Sequence, residues 1–189
     1  PAVAPNAALA GRADGSGVGP DGGFAIHGLR PGAEVRVFLS KLAPGVFPAT
    51  ATLAGHDLLD GPIELRRELT ANQTLEVVLT DVQTELTGTL ATSGGEPVPD
   101  VYIIVFPSES RFWGRPGRRL RAVRPDLDGR YLFQGLPPGE YLLGVLTDID
   151  QDEWLARGFL ERLAPAAVPI TLAPGERRSQ DLKVGGGVR

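Results

Sequence analysis

Three groups of side chains in this chain of 189 residues have types and spacings that could do chemistry. The first is the pair His27 and His56, and neither has neighbours along the chain that complete a metal site or a catalytic set. Zinc sites need three or four ligands, and nucleophilic catalysis needs a nucleophile, a base and an orienting group. Cysteine is absent, which removes thiol chemistry. We therefore expect no enzyme activity and no cofactor.

The second group is an acidic run in which Asp148, Asp150 and Asp152 occupy alternate positions. This spacing lets a loop turn several carboxylates towards one calcium ion. The run departs from the EF-hand pattern, because Phe159 stands where the bidentate acid belongs. In the alternative interpretation, Asp150 or Asp152 caps a helix over Asp152 to Leu163. We favour the cap and expect no bound metal, keeping the three aspartates as candidate calcium ligands.

The third group lies in the stretch Ser110 to Arg124, which separates two expected strands and surrounds two aromatic rings with arginines. The candidate interaction residues are Arg111, Phe112, Trp113, Arg115, Arg118, Arg119 and Arg121. Arginine with aromatic residues is the composition of protein interface hot spots. The same composition suits an anionic polysaccharide, lipid headgroups or single-stranded nucleic acid. In a third alternative, Trp113 packs against the protein's own sandwich, and the arginines are solvated or stack on it.

A motif that occurs twice supplies the elements that position these groups. The stretch Asp21 to Leu39 matches Asp128 to Leu146 in an Asp-Gly turn, alternating apolar residues and a Pro-Gly corner. The structural turn residues are Asp21, Gly22, Pro31, Gly32, Asp128, Gly129, Pro138 and Gly139. Such turns join short strands of period two. The repeat predicts an all-β chain of two tandem β-sandwich modules, residues 1–82 and 83–189, the second with one short helix and a glycine-rich tail.

The first module is expected to be incomplete at its N-terminus. Pro1 to Gly23 is rich in alanine, glycine and proline, and we expect it to be a loosely ordered lead-in. In that case, earlier strands lie upstream of residue 1, or the module leaves an open sheet edge that a partner's strand covers.

The second module has strands that are apolar on both faces. Val101 to Phe106 reads VYIIVF, and Tyr141 to Leu146 is also apolar at both alternations. In a sheet with one solvent-exposed face, apolar and polar residues alternate along each strand. Because these strands are apolar at every position, the second face of the sheet must also be packed against something. The cover is either the segment Asp152 to Leu163, with apolar residues at helical spacing, or a neighbouring domain or protein.

Particular residues of the second module resemble the carboxypeptidase regulatory-like domain family. They are Gly88, Thr89, Leu90, Gly95, Pro97, Val98, Asp100, Asp128, Gly129, Arg130, Tyr131, Gly135, Leu136, Pro137, Pro138, Gly139, Glu140 and Tyr141. The resemblance implies a transthyretin-like, Ig-like sandwich without catalytic residues, carried in bacteria by exported, surface-attached or outer-membrane proteins. The chain is more distantly similar to Cna B-type modules, some of which form an internal Lys–Asn isopeptide bond. That bond is not expected, because residues 83–189 contain no asparagine and Asn72 falls in an expected turn.

The function that we expect is a non-catalytic structural or interaction subunit on the extracytoplasmic side of a bacterial cell, docking onto a larger membrane or surface assembly. The net charge of −4 disfavours nucleic acid as a partner. No segment has the roughly 20 apolar residues that span a bilayer. The chain contains no methionine, so we expect a processed chain or part of a longer one.

Two alternatives remain open for the function. One is a carbohydrate- or peptidoglycan-binding module, in which Trp113 and Trp154 would be stacking platforms. The other is an accessory domain of a larger peptidase or outer-membrane transporter. Contact with an anionic glycan or a lipid headgroup is compatible with the arginine-rich stretch.

Overall fold

A computed structural model describes residues 6–9, 14–15, 17–66, 74–113, 117–146 and 153–184. The chain divides into two compact units, Pro1–Val82 and Gln83–Arg189. The fold is an all-β, Ig-like sandwich fold with one short α-helix, which confirms the expected fold class. Among the described residues, no helix has the length and apolar character needed to cross a membrane.

The first unit consists of short antiparallel pairs around a small core. Its strands are β1 (Asn6–Leu9), β2 (Asp14–Gly15), β3 (Ile26–His27), β4 (Glu34–Val35), β5 (Val37–Ser40), β6 (Phe47–Leu53), β7 (His56–Asp57), β8 (Ile63–Glu64) and β9 (Leu75–Thr80). β1 pairs with β5, β2 with β3 and β4 with β8, while β6 lies between β7 and β9. The buried core side chains are Val35, Val37, Ala51, Leu53, Leu58 and Leu65.

The expectation of a loosely ordered lead-in was wrong for part of the N-terminal segment. Asn6–Leu9 pairs with Val37–Ser40, and Asp14–Gly15 pairs with Ile26–His27. The physical reason is that backbone amides and carbonyls form the ladder whatever the side chain, so a segment poor in large apolar residues can still satisfy a strand edge.

The second unit is a sandwich of two four-stranded sheets. Its strands are β10 (Glu85–Thr92), β11 (Tyr102–Pro107), β12 (Arg121–Val123), β13 (Arg130–Gln134), β14 (Gly139–Leu146), β15 (Val168–Leu172), β16 (Arg177–Ser179) and β17 (Leu182–Val184). In one sheet β10 lies between β13 and the β16–β17 segment, and in the other the order is β12-β11-β14-β15. Leu86, Phe133, Ile103, Tyr141 and Leu172 are among the buried side chains between the sheets.

A third layer covers the outer face of the β11–β14 sheet. A 3-10 turn over Glu153–Leu155 leads into α1 (Arg157–Leu163), whose Leu160 is 0% exposed. Leu160 packs in one cluster with Ile104 and Phe106, the second apolar face of β11. We call this set of contacts the outer cluster. The chain therefore supplies the cover that the two-faced strands require, and a neighbouring protein is not needed on this face.

The start of the helix differs from the expectation. Ala156 occupies the N-cap of α1 and makes no side-chain cap hydrogen bond, so the Asp150 or Asp152 cap was wrong for this helix. Apolar packing rather than capping holds the helix in place, and Gly144 on β14 leaves the room for it. A β-carbon at Gly144 would lie 2.7 Å from Cδ2 of Leu163. Helices in proteins commonly derive most of their stability from such an apolar face.

Candidate interaction surface

The candidate interaction surface is the arginine loop, by which we mean the described residues 109–113 and 117–121 between β11 and β12. It begins with a 3-10 turn over Ser110–Phe112 and ends with the buried Leu120. Arg121–Val123 is not part of an irregular loop, as the sequence suggested, but forms β12 and pairs antiparallel with Ile103–Val105. The loop is thus the connection of a hairpin anchored at both ends.

Trp113 packs against the protein's own sandwich. Its Nε1–H donates to the carbonyl oxygen of Pro107 at 2.7 Å, and its ring meets Phe106 edge-on at 5.8 Å between centroids. Trp154 is also half-buried and contacts the same outer cluster. Since the indole N–H of Trp113 is satisfied and its ring is packed, this side chain fixes the loop rather than standing clear of it as a flat stacking platform.

Two further arginines attach the loop to the sandwich. Arg119 donates to the carbonyl of Pro138 at 3.1 Å and to the hydroxyl of Tyr141 at 3.4 Å. Arg121 donates to the carbonyl of Gln134. These bonds join the loop to the Pro-Gly corner and to the edge of β13, so residues distant in sequence hold one surface.

Two guanidinium groups lie close to the ring of Phe112. The Cζ atom of Arg111 is 4.7 Å from its ring centroid and that of Arg119 is 5.1 Å away. Arg111 also forms an ion pair with Glu109 at 2.8 Å, yet its side chain remains 71% exposed. Arg157 of α1 reaches Ser110 Oγ at 3.3 Å. The result is an ordered, cationic and aromatic surface.

The remaining candidate residues from the sequence analysis do not all lie on this surface. Arg115 lies outside the described residues, as do Asp148, Asp150 and Asp152. Arg118 is half-buried in the loop. In the part of the chain that the structure describes, no three His, Asp or Glu side chains come together as a metal site.

The two histidines are exposed on separate short strands of the first unit. His27 ends β3 and His56 begins β7.

The Asp-Gly and Pro-Gly positions form tight corners. Gly22, Gly32 and Gly129 have φ values of 79°, 80° and 76°, in the left-handed region that favours glycine. Asp21 accepts a hydrogen bond from the Gly23 amide at 2.9 Å. At the second corner the accepting side chain is Asp126, two residues before the Asp-Gly pair. Its Oδ1 binds the Asp128 and Arg130 amides at 3.0 and 2.8 Å.

Two of the outer strands of the second sandwich, β13 and β15, have blocked edges. On β13, Arg130 exchanges hydrogen bonds with Asp126, and Gln134 accepts from Arg121. On β15, Pro169 lacks an N–H and the Thr171 carbonyl accepts from Arg178 at 3.1 Å. Natural sheets use such devices against edge-to-edge pairing. Along these two described edges, side-chain contact is therefore a better mode of association than strand addition.

A groove on the β10–β13 sheet was missed by the sequence reasoning. We call it the threonine groove; it has a volume of about 680 Å³ and its lining includes Thr87, Thr89, Arg130, Leu132, Ser179 and Asp181. Asp181 Oδ1 accepts both the amide and the hydroxyl of Thr89 at 2.8 Å. These two bonds hold the pKa of Asp181 below its usual value. The alternation of Thr87 and Thr89 with buried leucines was the one available signal.

Tyr131, beneath this groove, makes the second unit sensitive to alkali. Its hydroxyl donates to the Gln180 carbonyl, and burial, followed by the charge of Asp181, raises its pKa well above the ordinary value of about 10. Because the folded pKa is the higher one, the stabilisation is fully present below about pH 10 and is lost as the pH rises further. We expect the free energy of unfolding to fall progressively as the pH rises above about 10 in guanidinium titrations.

The replacement Tyr131→Phe should make the free energy of unfolding less dependent on pH in the alkaline range. It should also lower that free energy by about 1 kcal/mol near neutral pH, because the hydrogen bond is lost. Tyr102→Phe is the matched control and should keep the alkaline slope that Tyr131 causes. An identical slope in Tyr131→Phe and the unmodified chain would show that another group is responsible.

No protein-family model matches the chain, and no curated protein matches it in sequence. Solved structures match the chain at low similarity. The minor pilin GBS52 of Streptococcus agalactiae is 12% identical with a TM-score of 0.40, over 89% of this chain and 66% of the pilin. The Streptococcal ancillary pilin is 12% identical with a TM-score of 0.39, over 79% of this chain and 47% of that protein.

A dioxygenase domain from Streptomyces sp. SirexAA-E, part of a dioxygenase carbohydrate-binding protein fusion, is 10% identical with a TM-score of 0.32. The match covers 55% of this chain and 80% of the dioxygenase domain. The chain spans about half of the ancillary pilin and just under two thirds of the minor pilin. At these scores the likenesses carry no family or function over to this chain. The strand order of the second unit itself identifies the fold as an Ig-like β-sandwich.

Proposed function

We propose that the chain is a non-catalytic structural or interaction subunit that docks onto a larger protein assembly on the extracytoplasmic side of a bacterial cell. The arginine loop is its docking surface. The observation that carries the proposal is the ordered stack of Arg111, Phe112 and Arg119, with Arg111 largely exposed. Arginine and aromatic side chains are over-represented among residues that dominate binding energy.

Fixation of the loop supports this role. Trp113, Arg119 and Arg121 each bond to a backbone carbonyl elsewhere in the second unit. A surface that is ordered before binding loses less conformational entropy on association. The exposed guanidinium of Arg111 and the edge of Phe112 can therefore contribute to binding with little reorganisation.

The motif resemblance supports the finer part of the proposal. The Asp-Gly and Leu-Pro-Pro-Gly motifs of the second unit resemble those of carboxypeptidase regulatory-like modules, and the two copies of the Asp-Gly and Pro-Gly corners support tandem modules. Such modules are accessory rather than catalytic. An accessory module within a longer peptidase or transporter chain would use the same surface towards its neighbours.

The proposal is tested by co-purification from the native cell envelope. The unmodified chain should migrate with a larger assembly in gradient sedimentation, and Arg111→Glu combined with Phe112→Ala should return it to its own size. Lys183→Glu, an exposed charge reversal on β17, is the control and should leave the assembly intact. A chain that sediments alone in the envelope fraction, or a double variant that still co-migrates, contradicts the proposal.

A further inference from the structure

The threonine groove lies mainly on the β10–β13 sheet, opposite to the sheet that carries the arginine loop. Its floor is the outer side of β10 and β13, and Val123 of β12 and residues 124–126 border it. None of its lining residues belongs to the arginine loop, so the docking role proposed above does not use this surface. It is a concave feature with polar and apolar walls, as ligand sites are.

The floor of the groove carries two exposed threonines. Thr87 and Thr89 point away from the core, since Leu86 and Leu90 on the same strand are 0% exposed. Gly88 belongs to the inner face with these leucines, where a β-carbon would lie 2.9 Å from the Tyr131 ring. The floor therefore presents two threonine side chains to the groove.

One wall holds a fixed hydrogen-bond acceptor. Both hydrogen bonds from Thr89 go to Oδ1 of Asp181, which orients the carboxylate of this exposed residue. Ser179 adds an exposed hydroxyl on the same wall. A carboxylate oriented in this way accepts two hydroxyl groups without reorganisation.

The opposite wall combines a donor with an aliphatic surface. The Arg130 side chain is 71% exposed and lies 3.6 Å from Asp128, a distance that leaves most of its donors available. Leu132, two residues along the same strand face, is 46% exposed. A ring with one apolar face and equatorial hydroxyls can contact both side chains together.

The charges of the groove cancel. The charged residues of its lining are two arginines, Arg124 and Arg130, and two aspartates, Asp126 and Asp181. A polyanion or a polycation would gain no net attraction here, whereas a neutral ligand with several hydroxyl groups finds both donors and acceptors. From this balance we propose that the threonine groove binds a neutral saccharide, with Asp181 and Arg130 as its hydrogen-bonding residues and Leu132 as its apolar contact.

The test uses the full chain and four neutral oligosaccharides: cellohexaose, xylohexaose, mannohexaose and chitohexaose. Each is titrated to roughly 5 mM while the amide resonances of Thr87 and Thr89 are followed by NMR, which detects affinities near 1 mM. We expect at least one sugar to shift these resonances. Asp181→Asn, which retains an acceptor for Thr89, and Arg130→Ala should each weaken that binding about tenfold.

Three controls make the result decisive. Lys183→Ala should bind as the unmodified chain does. Loss of binding in Trp154→Ala, with full affinity in Asp181→Asn and Arg130→Ala, would place the sugar on the outer cluster and overturn the assignment. The assignment also fails when no sugar shifts the groove resonances, or when a sulfated polysaccharide shifts them more strongly than every neutral sugar.

Discussion

Replacing Gly88 by alanine is expected to destabilise the second unit by about 3 kcal/mol, at the upper end of what an overpacked site costs. The added β-carbon would lie 2.0 Å from the Gln180 oxygen and 2.9 Å from the Tyr131 ring. The nearest obstacle is backbone, so the β16–β17 segment must move. That movement would break the Tyr131–Gln180 and Thr89–Asp181 hydrogen bonds together.

The measurement is guanidinium unfolding followed by tryptophan emission. Both tryptophans, Trp113 and Trp154, belong to the second unit, so emission reports its unfolding. Gly94→Ala is a matched control, because a β-carbon there would meet only Thr92 Oγ1 at 3.6 Å. Equal guanidinium unfolding midpoints for Gly88→Ala and Gly94→Ala would refute the close approach of the Gln180 backbone to β10.

Truncating Leu160 to alanine should cost about 3 kcal/mol and loosen α1 from the sheet, because a fully buried leucine loses its apolar contacts and leaves a cavity. Leu160 is the one fully buried side chain of α1, and it packs in the cluster that covers Ile104 and Phe106. Exposure of that cluster should appear as binding of the dye ANS under conditions in which the unmodified chain binds none.

Glu161→Ala is the comparison variant for the helix. It removes an exposed pair with Arg157 at 3.1 Å, a contact worth about 0.5 kcal/mol or less. An unchanged unfolding midpoint in Leu160→Ala, without dye binding, would mean that the helix does not provide the cover for β11.

The strands that sequence reasoning placed well are those whose pattern reflects one local rule. The apolar stretches Val101 to Phe106 and Tyr141 to Leu146, which the sequence analysis treats as strands, fall in β11 (Tyr102–Pro107) and β14 (Gly139–Leu146). Asp-Gly and Pro-Gly corners likewise depend on the φ preferences of a few adjacent residues. Such local preferences are visible without knowledge of distant neighbours.

The features that were missed depend on contacts between distant residues. β12 is only three residues long, Arg-Ala-Val, and it forms because β11 offers a partner edge. The break between β16 and β17 exists because Gln180 and Asp181 bond to Tyr131 and Thr89, which lie far along the chain. From the sequence, an inward-packed Trp113 was one of three alternatives for the arginine-rich stretch. Only the position of the Pro107 carbonyl, which accepts the indole hydrogen bond, identifies it as the correct one.

The outer cluster changes where a partner is expected on the second unit. Apolar residues on both faces of β11 suggested an uncovered sheet face, yet α1 and Trp113 cover it. Strand addition is also disfavoured along β13 and β15 by the side chains that occupy their edges. The exposed arginine and aromatic groups of the loop are then the surface best suited to a protein partner.

Site-specific photo-crosslinking in intact cells tests that central claim most directly. A photoreactive amino acid is placed at Arg111, at Lys183 on β17, and at Ser179 in the threonine groove. The account predicts a discrete adduct with one larger protein from position 111 and none from position 183 or 179. Adducts from position 183 or 179 with none from position 111 would contradict docking through the arginine loop.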